Sequence, residues 1–455
     1  MKQTLSLLLL VLGCARLTAQ EPPLLKISDN HKYLVTEDDR PFFWLGGTAW
    51  ELIHRLNRDE VDRYLADRQS KGFTVVQTVI LAELDGLNTP NAYGEKPLIG
   101  NDPTRINEAY FEHVDYVVEQ AARRGIYLGL LPTWGDKYHM AWGVGPEIFT
   151  PENARVYGEI LGKRYAGHNN IVWILGGDRW PKDGQDSAIV SAMAEGIRAF
   201  DSRHLLTMHP SGAQLASNFF NDPWLDFDMF QAGHDRTIRD FEYVWKAREV
   251  TPLRPVVNGE PRYEDHPDRF NALAYGWMDD SDVRSSAYWS MLAGAAGYTY
   301  GCHDIWQMFD MSREPVNGAR NVWEAALQLP GSGQLKHLKA LLEAFPWQDM
   351  RNDQALLLNE NADDTTFILA TIGADRDFML FYTPMGKSVV PDLSRMQASR
   401  VKAHWFNPRD GHSLPIGEFD SADRPILTPW SAGRGSDFVL VIVDAASEFV
   451  LPDPF

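Results

Sequence analysis

The sequence predicts a (β/α)8 barrel over residues 24–345, followed by a small β-sandwich over 346–455. Three observations carry that prediction. Eight short apolar β-type runs alternate with amphipathic helical stretches between residues 41 and 345, and runs apolar on both faces suit buried parallel strands. Helical periodicity stops near residue 346, where period-two runs take over. The first strand leads into LGGTAW, which lacks the G-x-G-x-x-G loop that a doubly wound sheet would place there.

Taken in order, residues 24–40 (LLKISDNHKYLVTEDDR) read as a hairpin leading into the barrel. The strands are Pro41–Gly47, Phe73–Ile80, Ile126–Trp134, Asn170–Asp178, Leu205–Pro210, Phe227–Ala232, Pro255–Glu260 and Ala296–Gly301. Between them, Asn57 caps the segment RDEVDRYLADRQSKG, which Gly72 ends. Residues 107–125 place Phe111, Val114, Val118 and Ala121 on one face, with Gly125 as the stop. Thr150-Pro151-Glu152 supplies an N-cap, a proline at the first helical position and an acid in the first turn. Eight strand–helix units of this kind make a barrel. Beyond it, Thr365–Ile372, Asp377–Thr383, Arg400–Phe406 and Asp437–Val443 read as sandwich strands, with a turn at Asn407-Pro408-Arg409-Asp410-Gly411.

Residues 1–20 (MKQTLSLLLLVLGCARLTAQ) carry Lys2 before an apolar run too short to span a bilayer, as in a secretory signal peptide. Two processing routes stay open: cleavage at Ala19, or lipidation of Cys14 in the run VLGC. The expectation is an exported protein, periplasmic or at the cell surface, touching a membrane only through a lipid anchor at Cys14. Cys302 is then the one other thiol, so neither an intrachain disulfide nor a cysteine zinc site is expected. No H-x-H follows the first strand and no H-E-x-x-H occurs, so no metal or other cofactor is expected.

The balance of 43 Lys+Arg against 62 Asp+Glu gives a net charge of -19, which speaks against nucleic acid as a partner. With 44% hydrophobic residues, wholesale disorder is excluded. The 15 Trp exceed what a core needs, and stacking on sugar rings is one use for them. Trp44 and Trp173, inside strands, are expected in the core.

A barrel works at the C-terminal ends of its strands. Asp178 ends the fourth and Glu260 the seventh, on opposite sides of the mouth. Glycosidic cleavage needs such a pair, one protonated acid and one anion, about 5–5.5 Å apart for retention or about 6.5–9.5 Å for inversion. Glu260 would stay ionised beside Asn258 or an arginine, and its charge would raise Asp178. Trp50, Gln77, Trp134, His209, Gln231, His234, Asn258 and Trp306 are the expected substrate contacts. Glu264 competes as nucleophile; Asp136, Asp235 and Asp304 compete as acids. Asp178 also reads as a helix cap or a pair with Arg179, and Glu260 as a salt bridge to Arg254 or Arg262.

The segments RPFFWLGGTAWELIHRLNRDEVDRYLADRQSKGFTVVQ, WILGGDRWP, RPVVNGEPRYE and AHWFNPRDGHSLPIG resemble glycoside hydrolase family 140, the apiosidase-like enzymes. The resemblance runs over residues 24–452. It implies a barrel followed by a collagen-binding-type sandwich domain. It also implies a retaining glycosidase acting on apiose-linked bonds in the pectin rhamnogalacturonan II, a plant cell-wall polysaccharide. Asp178 in GGDRW would be its acid/base and Glu260 in NGEPRYE its nucleophile. The wider clan of barrel glycosidases carries Asn-Glu where this chain has Gly177-Asp178, a shorter acid. The alternatives are another plant-polysaccharide glycosidase of the same barrel type, or a non-catalytic glycan-binding surface lipoprotein.

Overall fold

The computed structural model describes residues 21–452, so the expected signal peptide with Cys14 lies outside the described residues. The chain enters through a three-stranded antiparallel sheet, Leu25–Ile27, Leu34–Thr36 and Pro41–Phe42, which extends the expected hairpin by one strand. Eight parallel strands follow: β1 (Trp44–Thr48), β2 (Val75–Leu81), β3 (Tyr127–Thr133), β4 (Ile171–Gly176), β5 (Leu206–His209), β6 (Asp228–Gln231), β7 (Val256–Glu260) and β8 (Gly297–Cys302). Parallel pairing runs continuously from β5 back through β1, across to β8, and on to β7 and β6.

Helices follow seven of these strands: α1 (Arg58–Ser70), α2 (Glu108–Arg123), α3 (Pro151–Tyr165), α4 (Gly184–Phe200), α5 (Asp240–Arg248), α6 (Asp280–Leu292) and α7 (Pro330–Glu343). Asn57 and Thr150 cap their helices through reciprocal bonds with Glu60 and Asn153. The expected eighth helix, between β5 and β6, is missing. Residues 210–227 (PSGAQLASNFFNDPWLDF) are too rich in proline, glycine and asparagine to hold one, and form a short strand, Gln214–Leu215, and a single 3-10 turn. The same place is the seam of the barrel. There the two strands are linked by Asp226 N to Leu206 O (2.9 Å) and Thr207 Oγ1 to Phe227 O (2.7 Å).

Strand alternation divides the core in two. Leu45, Val76, Leu128, Trp173 and Met208 pack outward against helices. Trp44, Val75, Val79, Leu131, Ile174 and Val257 fill the barrel interior and form a solid floor under the mouth.

The C-terminal part is one six-stranded antiparallel sheet: β9 (Arg351–Asn352), β10 (Leu369–Ile372), β11 (Phe378–Thr383), β12 (Arg400–Phe406), β13 (Ser413–Asp420) and β14 (Phe438–Asp444), in the order β9-β10-β11-β14-β12-β13. Its inner face, with Phe378, Leu380 and Tyr382, joins the barrel's core; Tyr382 stacks on Tyr288 of α6 and Phe378 on Phe345 beyond α7. The outer layer, where the sequence suggested a second sheet, is loop. Leu356, Val389, Leu393, Met396 and Leu427 cover that face, tied by the isolated bridges Leu357–Pro391 and Val389–Leu427. Among the described residues no helix is long and apolar enough to cross a membrane.

Candidate active site

Two backbone irregularities aim the two acids. At the end of β4, Gly176, Gly177 and Asp178 all have positive φ (90°, 86° and 54°). A Cβ on Gly176 would lie 2.4 Å from His209 O, and one on Gly177 2.8 Å from Gly135 N, so only glycine lets the chain turn between the neighbouring strand ends. Asp178 tolerates the third left-handed position, a strained conformation that the bond from its own N–H to His209 Nδ1 (3.1 Å) holds in place. At β7 the pairing with β6 slips: Phe230 faces Asn258, but Gln231 faces Glu260, skipping Gly259. This bulge breaks the alternation. Without it, Glu260 would follow Asn258 to the outside.

His209 joins the two strand ends. Because Nδ1 accepts from the Asp178 backbone, its proton resides on Nε2. That nitrogen lies 3.0 Å from Glu260 Oε2, while His234 Nε2 lies 3.2 Å from Glu260 Oε1. Burial alone would raise the Glu260 carboxyl; the two imidazoles overcome it and hold the acid down at about 2. Asp178 goes the other way. Burial first, and then the Glu260 charge, push it up to about 6, against the pull of Arg179 and the bond from Trp142 Nε1 (2.9 Å). Arg179 is fully buried and lies 3.4 Å from Asp178 Oδ2. It also donates to the carbonyls of Asp178, His139 and Trp142, and stacks under the Trp142 ring at 3.9 Å, so it holds the loop after β3 beside the acid.

Asp178 and Glu260 line one cavity of about 590 Å³ at the C-terminal end of the barrel. Of the expected substrate contacts, Trp50, Trp134, Gln231, His234 and Trp306 line it with them. Three expected contacts do not. Gln77 is buried and donates to Gly259 O (2.8 Å), bracing the bulge. His209 sits behind the carboxylates. Asn258 points out of the barrel to Asp240 (3.1 Å) and Ser290 (3.1 Å), so it is not what keeps Glu260 ionised. The sequence reading missed Glu83, Trp142, Tyr263 and His266, which also line the cavity. Tyr263 accepts from Trp50 Nε1 (3.1 Å), and burial with the Glu260 charge holds it as the neutral phenol. Glu83, Tyr263 and His266 follow strand ends by two to six residues, and that position was their one signal; Trp142, nine residues beyond β3, carried none.

The competing acids have structural partners. Glu264 accepts from Tyr300 (2.6 Å) and from Gly331 N (2.9 Å) at the start of α7. Asp136 pairs with Lys137 (2.7 Å) and accepts from Gly145 N (2.8 Å). Asp235 pairs with Arg269 (2.9 Å), and Asp304 accepts from Arg320 N (2.9 Å). Nor does Glu260 bind its neighbours in sequence: Arg262 pairs with Asp240, and Arg254 bonds Leu225 O and Asn221.

A family model described as "Apiosidase-like, catalytic domain" matches residues 28–349, and one described as "Putative collagen-binding domain of a collagenase" matches residues 352–443. A solved structure described as a glycoside hydrolase is 32% identical, with 94% of this chain and 98% of that one covered and a TM-score of 0.86. A structure described as a glycoside hydrolase family 5 protein from Bacteroides vulgatus ATCC 8482 is 34% identical, with 94% and 96% covered and a TM-score of 0.86. A second structure from that organism, at 18% identity and a TM-score of 0.67 over 94% of this chain and 83% of that one, shares the fold. No curated protein matches the chain.

Proposed function

The chain belongs to the apiosidase-like glycoside hydrolases, and from that premise we propose that it is a retaining enzyme of the family 140 type. Its proposed substrate is the apiose-linked bond in the pectin rhamnogalacturonan II. In this reading Asp178 gives its proton to the glycosidic oxygen while a Glu260 oxygen attacks the anomeric carbon from the opposite side. The bond to the departing oxygen breaks and a glycosyl–Glu260 ester forms. Asp178, now ionised, takes a proton from water, whose oxygen displaces Glu260 and releases the sugar. Both acids end as they began.

The observation that carries this reading is the electrostatic division of two acids on one cavity, one held ionised by two imidazoles and the other raised to about 6. The indoles of Trp50, Trp134, Trp142 and Trp306 supply faces for sugar rings. The shared His209 fixes the two acids relative to each other. Localisation remains part of the proposal: an exported enzyme reaches a plant polysaccharide without importing it.

The test is product analysis. The wild type is expected to release apiose-terminated fragments from rhamnogalacturonan II side chains, and proton NMR at early times should show the starting anomeric configuration retained. Since a 34% identical relative is described as a family 5 hydrolase, another plant polysaccharide is the second reading. Release from a different pectic or hemicellulosic chain, with none from rhamnogalacturonan II, would select it.

A further inference from the structure

A third acid stands on the cavity wall. Glu83 follows β2 by two residues, and its loop is tied down from below. Fully buried Glu51 accepts from Leu84 N (3.1 Å) and binds His54 (2.6 Å), whose other nitrogen reaches Thr89 O (3.1 Å). Gly86 closes the turn; a Cβ there would meet Ala82 O at 2.7 Å. The loop therefore holds Glu83 in the wall that Trp50, Trp134 and Trp142 share. No described residue gives its carboxyl a hydrogen bond or an ion pair. A half-buried acid with no protein partner, in a polar-and-indole cavity, has its bonding capacity left for what enters the cavity.

We propose that Glu83 is a sugar-binding residue, acting as a neutral carboxylic acid that donates a hydrogen bond to a substrate hydroxyl beside Asp178. This rests on the reading of Asp178 and Glu260 as the reacting pair. The surroundings favour the neutral form. Burial first, then the charges of Asp178 and Asp136, push Glu83 up to about 8; Arg179 opposes them and Glu51 adds to them. An ionised Glu83 would set a second anion against Asp178, while a neutral one binds the sugar and leaves the charge balance of the pair alone.

The neutral form makes a specific prediction, because glutamine copies it and alanine does not. With rhamnogalacturonan II side-chain oligosaccharides, Glu83→Ala should raise KM about tenfold, the size of one hydrogen bond, with a smaller change in kcat. Glu83→Gln should recover most of that loss. Calorimetric binding of the same oligosaccharides in the Glu260→Gln background should follow the same order, with no turnover involved. Unchanged binding in Glu83→Ala overturns the proposal. So does Glu83→Gln as poor as Glu83→Ala, which would make Glu83 act as an anion or a proton carrier. Failure of the underlying reading looks different: Glu260→Gln and Asp178→Asn would then retain wild-type turnover, whatever Glu83 does.

Discussion

The barrel mouth and the joint between barrel and C-terminal sheet both bury charge, and they treat it in opposite ways. At the joint, Arg284, 1% exposed, meets Asp437 through Nη2 (2.8 Å) and Nε (3.0 Å), and also binds Asp280 and Gln334. Asp437 accepts in addition from Tyr382 (3.3 Å). Burial would release the Arg284 proton, but Asp437 and Asp280 hold it as a cation. At the mouth, Glu83, Asp178 and Glu260 line the cavity, and the guanidinium of Arg179, buried beside Asp178, spends three of its bonds on loop carbonyls. Matched buried charge fixes one arrangement of parts. Under-matched buried charge leaves acids that take and give protons near neutral pH, which is what catalysis requires.

The largest break in that contrast is Glu260→Gln. It keeps the shape and removes the anion, so kcat should fall about 10³-fold or more, read by steady-state sugar release. In the wild type Asp178 acts protonated, so kcat/KM should fall as pH rises through about 6. On the acid side it should hold until Glu260 itself takes a proton near 2. Activity rising steadily from pH 5 to 8 would remove Asp178 as the acid.

Much of this was legible in the sequence, and the reasons are specific. Each barrel strand is an apolar run because both its faces are covered, so all eight could be read. The missing helix after β5 was also readable, since Pro210, Gly212 and Pro223 forbid the periodicity; the expectation of eight equal units overrode it. Asp178 and Glu260 stood out because a strand end is a defined place. Asn258 misled because alternation depends on a bulge that sequence does not show: the pairing skips Gly259, where a Cβ would come within 2.5 Å of Met229 Sδ. His209 does end β5, whereas Gln77 lies inside β2, four residues before its end; both brace the acids, since a residue near a tip can face the ligand or support the one that does. The outer layer of the C-terminal sheet was illegible because loops that cover a face carry no period.

At the joint, Arg284→Ala should do what no mouth substitution does. It leaves Asp437 buried with only Tyr382 and, at 3.4 Å, Arg409. The expected cost is about 3 kcal/mol of stability, measured by denaturant unfolding, with kcat/KM per folded molecule within about twofold of wild type. A large fall in kcat/KM with stability intact would mean that the C-terminal sheet communicates with the mouth and is more than a support.

The smallest effect is the sharpest test of the contrast, since it asks whether the mouth costs the fold anything. Asp178 is a weaker acid in the folded chain than its ordinary value of 3.8, by way of burial and Glu260. A group raised in this way favours the folded state fully below 3.8, and that contribution is lost as pH rises through about 6. An amide in its place does not titrate and would have nothing to lose. Asp178→Asn should therefore melt a few degrees above the wild type at pH 7.5, with the gap closing toward pH 4. Glu260 does not blur the comparison, because its contribution has the opposite sign, is present above 4.5, and is lost only as pH falls through about 2. Arg284→Ala, by contrast, should melt below the wild type at both pH values. If Asp178→Asn also melts lower at pH 7.5, then the acid is as well matched as Asp437, and the mouth differs from the joint in position alone.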